Sequence, residues 1–157
     1  MTVRRAEPAD ISALLPLVTG LAHHHGDIAE VTAASLFRDL FTDPVWLHAF
    51  VAEDNLTIVG YAALLPLARL HFGQRGMDLH HLFVAPTARG RGIGTELLGA
   101  ILAYAKGAGC SYLTVGTQAE NRAAQVFYGK KGFFRSPPAP DRFAFDLSTW
   151  TAPKTAP

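Results

Sequence analysis

The sequence predicts a mixed α/β domain whose sheet has a partly parallel centre. Three observations carry that expectation. Two apolar runs, 46–53 and 56–65, flank Asp54-Asn55 and read as a β-hairpin. A third apolar run from Met77 to Val84 leads through an amphipathic segment to Tyr112–Val115. Such a strand–helix–strand unit closes as a right-handed crossover, which makes its two strands parallel. Finally, 157 residues that are 49% hydrophobic and 17% charged form an ordinary globular mix of single-domain length.

The elements follow in order. Thr2 to Arg5 is a short strand stopped before Pro8. Asp10 stands where a helix cap belongs, ahead of Ile11, Leu14, Leu15, Val18 and Leu21 at helical spacing. Pro16 inside that pattern predicts a kink or a break into two helices. Thr32 caps a second helix carrying Leu36, Phe37, Leu40 and Phe41, ended by Asp43-Pro44. The hairpin follows, then a polar stretch from Arg69 to Gly76 and the strand 77–84. Residues 91–106 form the clearest helix, with Ile93, Leu97, Leu98, Ile101, Leu102 and Ala105 on one face and Gly107 as its stop. After strand 112–115, Asn121 caps a helix to about Lys131, with Gly132 behind it. Phe133-Phe134 and Phe143 to Leu147 read as closing strands around Pro137-Pro138-Ala139-Pro140. The domain is expected to span 1–148, and Thr149 onward, rich in Pro, Thr and Ala, to be a loose tail.

Charge and composition narrow the function classes. Fourteen basic against thirteen acidic residues leave a net charge of +1, which gives no electrostatic reason to expect nucleic acid or a membrane as partner. No apolar run approaches the ~20 residues that span a bilayer, and the first residues lack the apolar core of a signal peptide. The lone Cys110 has no partner for an internal disulfide. A cytoplasmic location is therefore expected.

The informative segment runs from Leu82-Phe83-Val84 through Arg89-Gly90-Arg91-Gly92-Ile93-Gly94-Thr95. A buried strand enters a glycine-rich turn that opens a helix, where first-turn N–H groups lack partners and the dipole favours an anion. Glycines at 90, 92 and 94 let backbone approach a bound group, and Arg89 and Arg91 add positive charge. These features describe a phosphate or pyrophosphate site; the plainer reading is a tight strand-to-helix turn. The dinucleotide fingerprint fails on glycine spacing and on its missing acidic residue. The nucleotide P-loop fails for want of a Lys-Ser/Thr pair.

Arg89-x-x-Gly92-x-Gly94 resembles the acetyl-coenzyme A motif of the GNAT N-acetyltransferase superfamily. Asn121-Arg122-Ala123-Ala124-Gln125-Val126-Phe127-Tyr128-Gly129-Lys130-Lys131-Gly132-Phe133 is similar to its second motif, N-x-x-A-x-x-F-Y-x-x-x-G-F. The resemblance covers nearly the whole chain. It implies a central mixed, mostly antiparallel sheet of about six to seven strands with helices on both faces. Thr32-x-x-x-Leu36-x-x-Asp39-Leu40-Phe41, Val51-Ala52-Glu53 and Val59-Gly60-Tyr61 look most like the spermidine/spermine and thialysine branch. That branch usually carries two acidic residues where this chain has His80-His81, a departure that speaks against a polycationic acceptor.

The implied reaction moves an acetyl group from acetyl-coenzyme A, the cosubstrate, to a primary amine, directly and in a ternary complex. It needs a base for the amine, donors for the oxyanion and help for the departing thiolate. The resemblance gives Tyr128 the thiolate and Asn121, otherwise a helix cap, a contact to the pantetheine or phosphate arm. Backbone donors are expected around Leu82, Phe83 and Val84, where family members have a bulge. Asp78 and His80, two apart on one strand, share a face and are candidate bases, while His81 is expected to point to the other. His80 and His81 are also candidates for a core and a solvent-facing histidine. Adjacent His23-His24-His25 on a helix cannot converge on one ion, so no metal is expected. The acceptor should depend on loops 23–31 and 66–76. A small molecule is favoured over a protein amino terminus or lysine, with a non-catalytic acyl-coenzyme A binder as the alternative class. A homodimer is left open.

Overall fold

The computed structural model describes residues 1–136, 145 and 147–149. The chain divides into two units, Met1–Gly116 and Thr117–Pro157. The first holds β1 (Thr2–Arg5), α1 (Ile11–His25), α2 (Ala33–Phe41), β2 (His48–Asp54), β3 (Thr57–Arg69), β4 (Gln74–Val84), α3 (Ile93–Gly107) and β5 (Tyr112–Val115). The sheet order is β1-β2-β3-β4-β5. Four strands form an antiparallel meander, and β5 joins β4 in parallel after the α3 crossover. Alternation along each strand feeds two cores. Ala49, Val51, Tyr61, Ala63 and Phe83 pack against Ile11, Leu14, Leu17 and Leu21 of α1 and Leu36 and Leu40 of α2. Phe50, Ala52, Ala62, Leu64 and Leu79 are buried on the opposite face. There α3, which packs on β2, β3 and β4, buries Ile93, Leu97, Leu98, Ile101 and Ala105. Leu102 is 41% exposed, because at ~100° per residue it lies about 100° around the helix from the centre of that stripe.

Several local expectations change. α1 runs unbroken through Pro16. The proline removes the donor for the Ser12 carbonyl, and Ser12 is exposed, so water can replace it. Asp10 precedes α1 but does not cap it. Its carboxylate accepts the Glu7 amide at 2.7 Å, closing a 3₁₀ turn, and takes Arg4 Nη1 at 2.7 Å and Nη2 at 2.9 Å. Arg4 also donates to Glu53, so one guanidinium ties β1, the turn and β2, and holds the Asp10 carboxyl below its usual range. Thr32 does cap α2, exchanging bonds with Ser35. α3 continues through Gly107, and the chain turns instead at Gly109, φ 77°. The stretch from Arg69 to Gly76 is hairpin rather than loop: β3 and β4 stay paired out to Arg69↔Gln74. The segment 66–76, expected as an acceptor-facing loop, is thus a paired hairpin with its turn at 70–73.

The second unit contains α4 (Arg122–Lys130). Among the described residues there are five strands, not six to seven. Phe133-Phe134 is not a strand, because the Phe133 amide is taken by the Tyr128 carbonyl (3.1 Å) in the turn that ends α4 at Gly132, φ 87°. Of the expected strand Phe143–Leu147, residues 143, 144 and 146 lie outside the described residues, and Leu147–Thr149 is a 3₁₀ turn.

Candidate functional site

β4 carries two irregularities that open it. β5 pairs with it only from Gly76 to Leu79, so among the described residues His80 to Val84 have no strand on that side. The Ala85 amide bonds Val59 of β3 at 2.8 Å. By strand alternation the Val84 and Leu82 amides therefore point the other way, toward the side β5 has left, while the Phe83 amide faces β3. Phe83 gives its ring to the α1/α2 core. Of the three expected backbone donors, the geometry thus leaves Leu82 and Val84.

The bulge sits at His80, earlier than expected. Ala63 faces His81 and Leu64 faces Leu79, so His80 is an extra residue without a partner. The slip corrects the expected direction of His81. Its partner Ala63 puts it on the α1/α2 face with Phe83, the face that Asp78 also takes through Leu65. The His80 and His81 rings stack, with centroids 4.2 Å apart and planes at 16°. His81 Nδ1 lies 2.9 Å from the hydroxyl of Tyr61, which has no other hydrogen bond among the described residues. Tyr61 is buried, which pushes its phenol well above the ordinary value. Burial, then the neighbouring His80 and His25, pull His81 down to about 4. Both groups are neutral near pH 7, and the phenol donating to Nδ1 satisfies its single proton. Asp78 is engaged elsewhere, since Thr114 Oγ1 of its cross-strand partner donates to it at 2.7 Å.

After β4 the chain passes a 3₁₀ turn anchored by buried Ala88 and enters the glycine loop. Arg89 Nε donates to the Val84 carbonyl at 3.0 Å, with its guanidinium 5.5 Å from the Phe83 ring. Gly90 (φ 77°) and Gly92 (φ 81°) are left-handed, and Gly92 caps α3. The Gly92 carbonyl accepts the Thr95 and Glu96 amides at 2.9 and 3.1 Å. The amides of Gly92, Ile93 and Gly94 have no acceptor among the described residues. Ile93 buries its side chain against the sheet, fixing the helix start, so only its amide is left for a ligand. A Cβ built on Gly90 or Gly92 would meet nothing within 4 Å, so the space beside the loop is open. Free amides, a helix dipole and open space suit a pyrophosphate. Of the two arginines expected to supply charge, Arg91 is paired, with Nη2 2.7 Å from Asp54 Oδ2.

In the second unit, Asn121 Oδ1 accepts the Ala124 amide at 3.0 Å and caps α4, leaving its Nδ2 to donate elsewhere. Tyr128 is buried between the rings of Phe127 and Phe133, centroids 5.2 and 5.4 Å away. Burial pushes its phenol up to about 12. Its hydroxyl has no hydrogen bond among the described residues, yet is not sealed from solvent. Among the described residues no three His, Cys, Asp or Glu side chains could hold a metal ion, and no helix is long and apolar enough to cross a membrane. Sequence reasoning missed Tyr61 and Asp54. A tyrosine inside the apolar run 58–65 was the available signal for the first; nothing marked the second.

Comparison with known proteins agrees with this layout. The sequence profile of the acetyltransferase (GNAT) family matches residues 20–133. The chain is similar to the uncharacterised N-acetyltransferase YhfO of Bacillus subtilis, 29% identical over 133 residues, covering 85% of this chain and 89% of that protein. It is 26% identical over 140 residues to the thialysine N-epsilon-acetyltransferase of Bos taurus, covering 83% and 82% of the two chains. Its fold matches that of a ribosomal-protein-alanine N-acetyltransferase from Brucella melitensis biovar Abortus 2308, with a TM-score of 0.74 at 18% identity, over 92% of this chain and all of the other.

Proposed function

Because the chain belongs to the GNAT acetyltransferase family, we propose that it transfers the acetyl group of acetyl-coenzyme A directly to the amine of a small molecule. The observation that supports the coenzyme is the run of unpartnered amides at Gly92, Ile93 and Gly94, opening α3 beside empty space. The thialysine-modifying relative supports a small amine acceptor. In this reading residues 1–148 act as one catalytic domain.

The reaction proceeds as follows. The amine nitrogen attacks the thioester carbonyl, and its proton passes to His80, which is exposed and on the open stretch of β4. The Leu82 and Val84 amides steady the oxyanion. The carbon–sulfur bond then breaks, and the coenzyme leaves as a thiolate, the charge that the family motif assigns to the hydroxyl of its tyrosine, Tyr128 in this chain. Asp78, already bonded to Thr114, keeps the β4–β5 junction in place rather than taking the proton. Cys110 is half-buried, and direct transfer in a ternary complex calls for no covalent cysteine.

Thiol release from acetyl-coenzyme A is measured with a panel of polyamines, amino acids, aminoglycosides and peptides. Release that depends on a small amine is expected. Release only with peptides moves the acceptor to proteins, and coenzyme binding without any release makes the chain a binding module.

The same assay tests the base. With a turned-over amine, kcat/KM is expected to rise with pH along an acidic limb, and His80→Ala to flatten that limb. His81→Asn should keep it, because burial and the neighbouring His80 and His25 lower the His81 titration to about 4, well below the neutral range. A limb lost only in His81→Asn would move the base to His81.

A further inference from the structure

Arg91 is the cation at the heart of the glycine loop, between two left-handed residues, and it faces a carboxylate of its own chain. Asp54 ends β2 at a tight turn whose next residues, Asn55 (φ 49°) and Leu56 (φ 63°), are both left-handed. That turn fixes the carboxylate, whose side chain is only 15% exposed, against 54% for the Arg91 side chain. Asp54 has no other side-chain partner among the described residues. The other arginine of the loop is directed away, with its Nε on the Val84 carbonyl and its guanidinium over Phe83. The charge the loop can offer an anion is therefore much lower than its two arginines imply. Its recognition falls to backbone amides, with a negative charge at the rim.

We propose that Asp54 sets the affinity for the coenzyme by competing with its phosphates for Arg91. This rests on the acetyl-coenzyme A reading above. Binding exchanges one ion pair for another: Arg91 leaves the Asp54 carboxylate and turns to a phosphate, and the carboxylate, held by its turn, is left without its cation. Release of coenzyme A after turnover runs the exchange backward, with Asp54 recapturing Arg91. The carboxylate thus weakens both substrate and product binding and keeps product from lingering. The lever is electrostatic, so it is strong in dilute buffer and fades with salt.

The experiment is calorimetric titration of coenzyme A into wild type, Asp54→Asn, Arg91→Gln and the double variant, at low and high salt. Melting curves check that each variant is folded; the pair is on the surface, so its loss costs little stability. Asp54→Asn is expected to bind coenzyme A about three- to fivefold tighter at low salt, the upper end of what a surface charge pair carries. That gain should shrink at high salt and in the Arg91→Gln background. Unchanged or weaker binding by Asp54→Asn would mean that the carboxylate aims Arg91 at the phosphate or merely braces the turn, and would overturn the proposal while the coenzyme reading stands. An equal gain in the Arg91→Gln background would also overturn it, because the effect would then not pass through Arg91. Wild type that fails to bind coenzyme A at all would remove the coenzyme reading itself.

Discussion

Tyr128→Phe is expected to lower kcat by about 10²-fold while leaving the affinity for acetyl-coenzyme A nearly unchanged. Full loss of general-acid catalysis would cost about 10²–10⁴-fold. The environment of Tyr128 points to the low end. Burial holds its phenol at about 12, whereas a free thiol ionises near ~8.5. Complete proton transfer from this phenol to a thiolate is therefore uphill. Donation of a hydrogen bond to the departing charge is not, and such a bond is worth about 1.5–3 kcal/mol, roughly 10- to 150-fold in rate. The ring stays packed between Phe127 and Phe133, so the variant should fold. Steady-state turnover of one identified amine, with coenzyme affinity measured separately, decides the matter. Turnover near the wild-type rate would mean that the thiolate leaves without this hydroxyl.

Gly92→Val is expected to abolish coenzyme binding. Two effects act together. At φ 81° a β-branched residue is strained, so the cap of α3 must shift and carry the free amides with it. A side chain that keeps the backbone in place instead enters the open space beside the loop, where a Cβ meets no protein atom within 4 Å. Either outcome removes the geometry an anion needs. Because a Cβ at this position meets no protein atom within 4 Å, the sheet and both cores should survive. A coenzyme titration on a variant shown to be folded is the check, and wild-type affinity would place the pyrophosphate elsewhere.

Much of the local structure of both units was legible in the sequence. Thr32 and Asn121 announce their helices because a capping side chain acts within three residues of itself. The β2–β3 hairpin and the β4–α3–β5 crossover follow from local period and spacing. The glycine loop is legible for the same reason: Gly90 and Gly92 take left-handed angles within a contiguous segment.

What the sequence determined by itself was the class of fold and the glycine-rich turn that opens α3, both encoded by neighbours along the chain, while the role proposed for Tyr128 rests on its resemblance to a family motif. The tertiary structure alone decided which groups meet around them. The bulge at His80 depends on how β3 and β4 register, and period-two reading puts His80 and His81 on opposite faces because it cannot see a slip of one residue. That slip brings His81 to Tyr61, 20 positions away in sequence. Another long contact, over 37 positions, sets Asp54 against Arg91 and removes charge that a count of arginines had assigned to the ligand. Local sequence fixes dihedral angles and caps; the charge state and partners of a side chain are set by groups that only folding brings within a few ångströms.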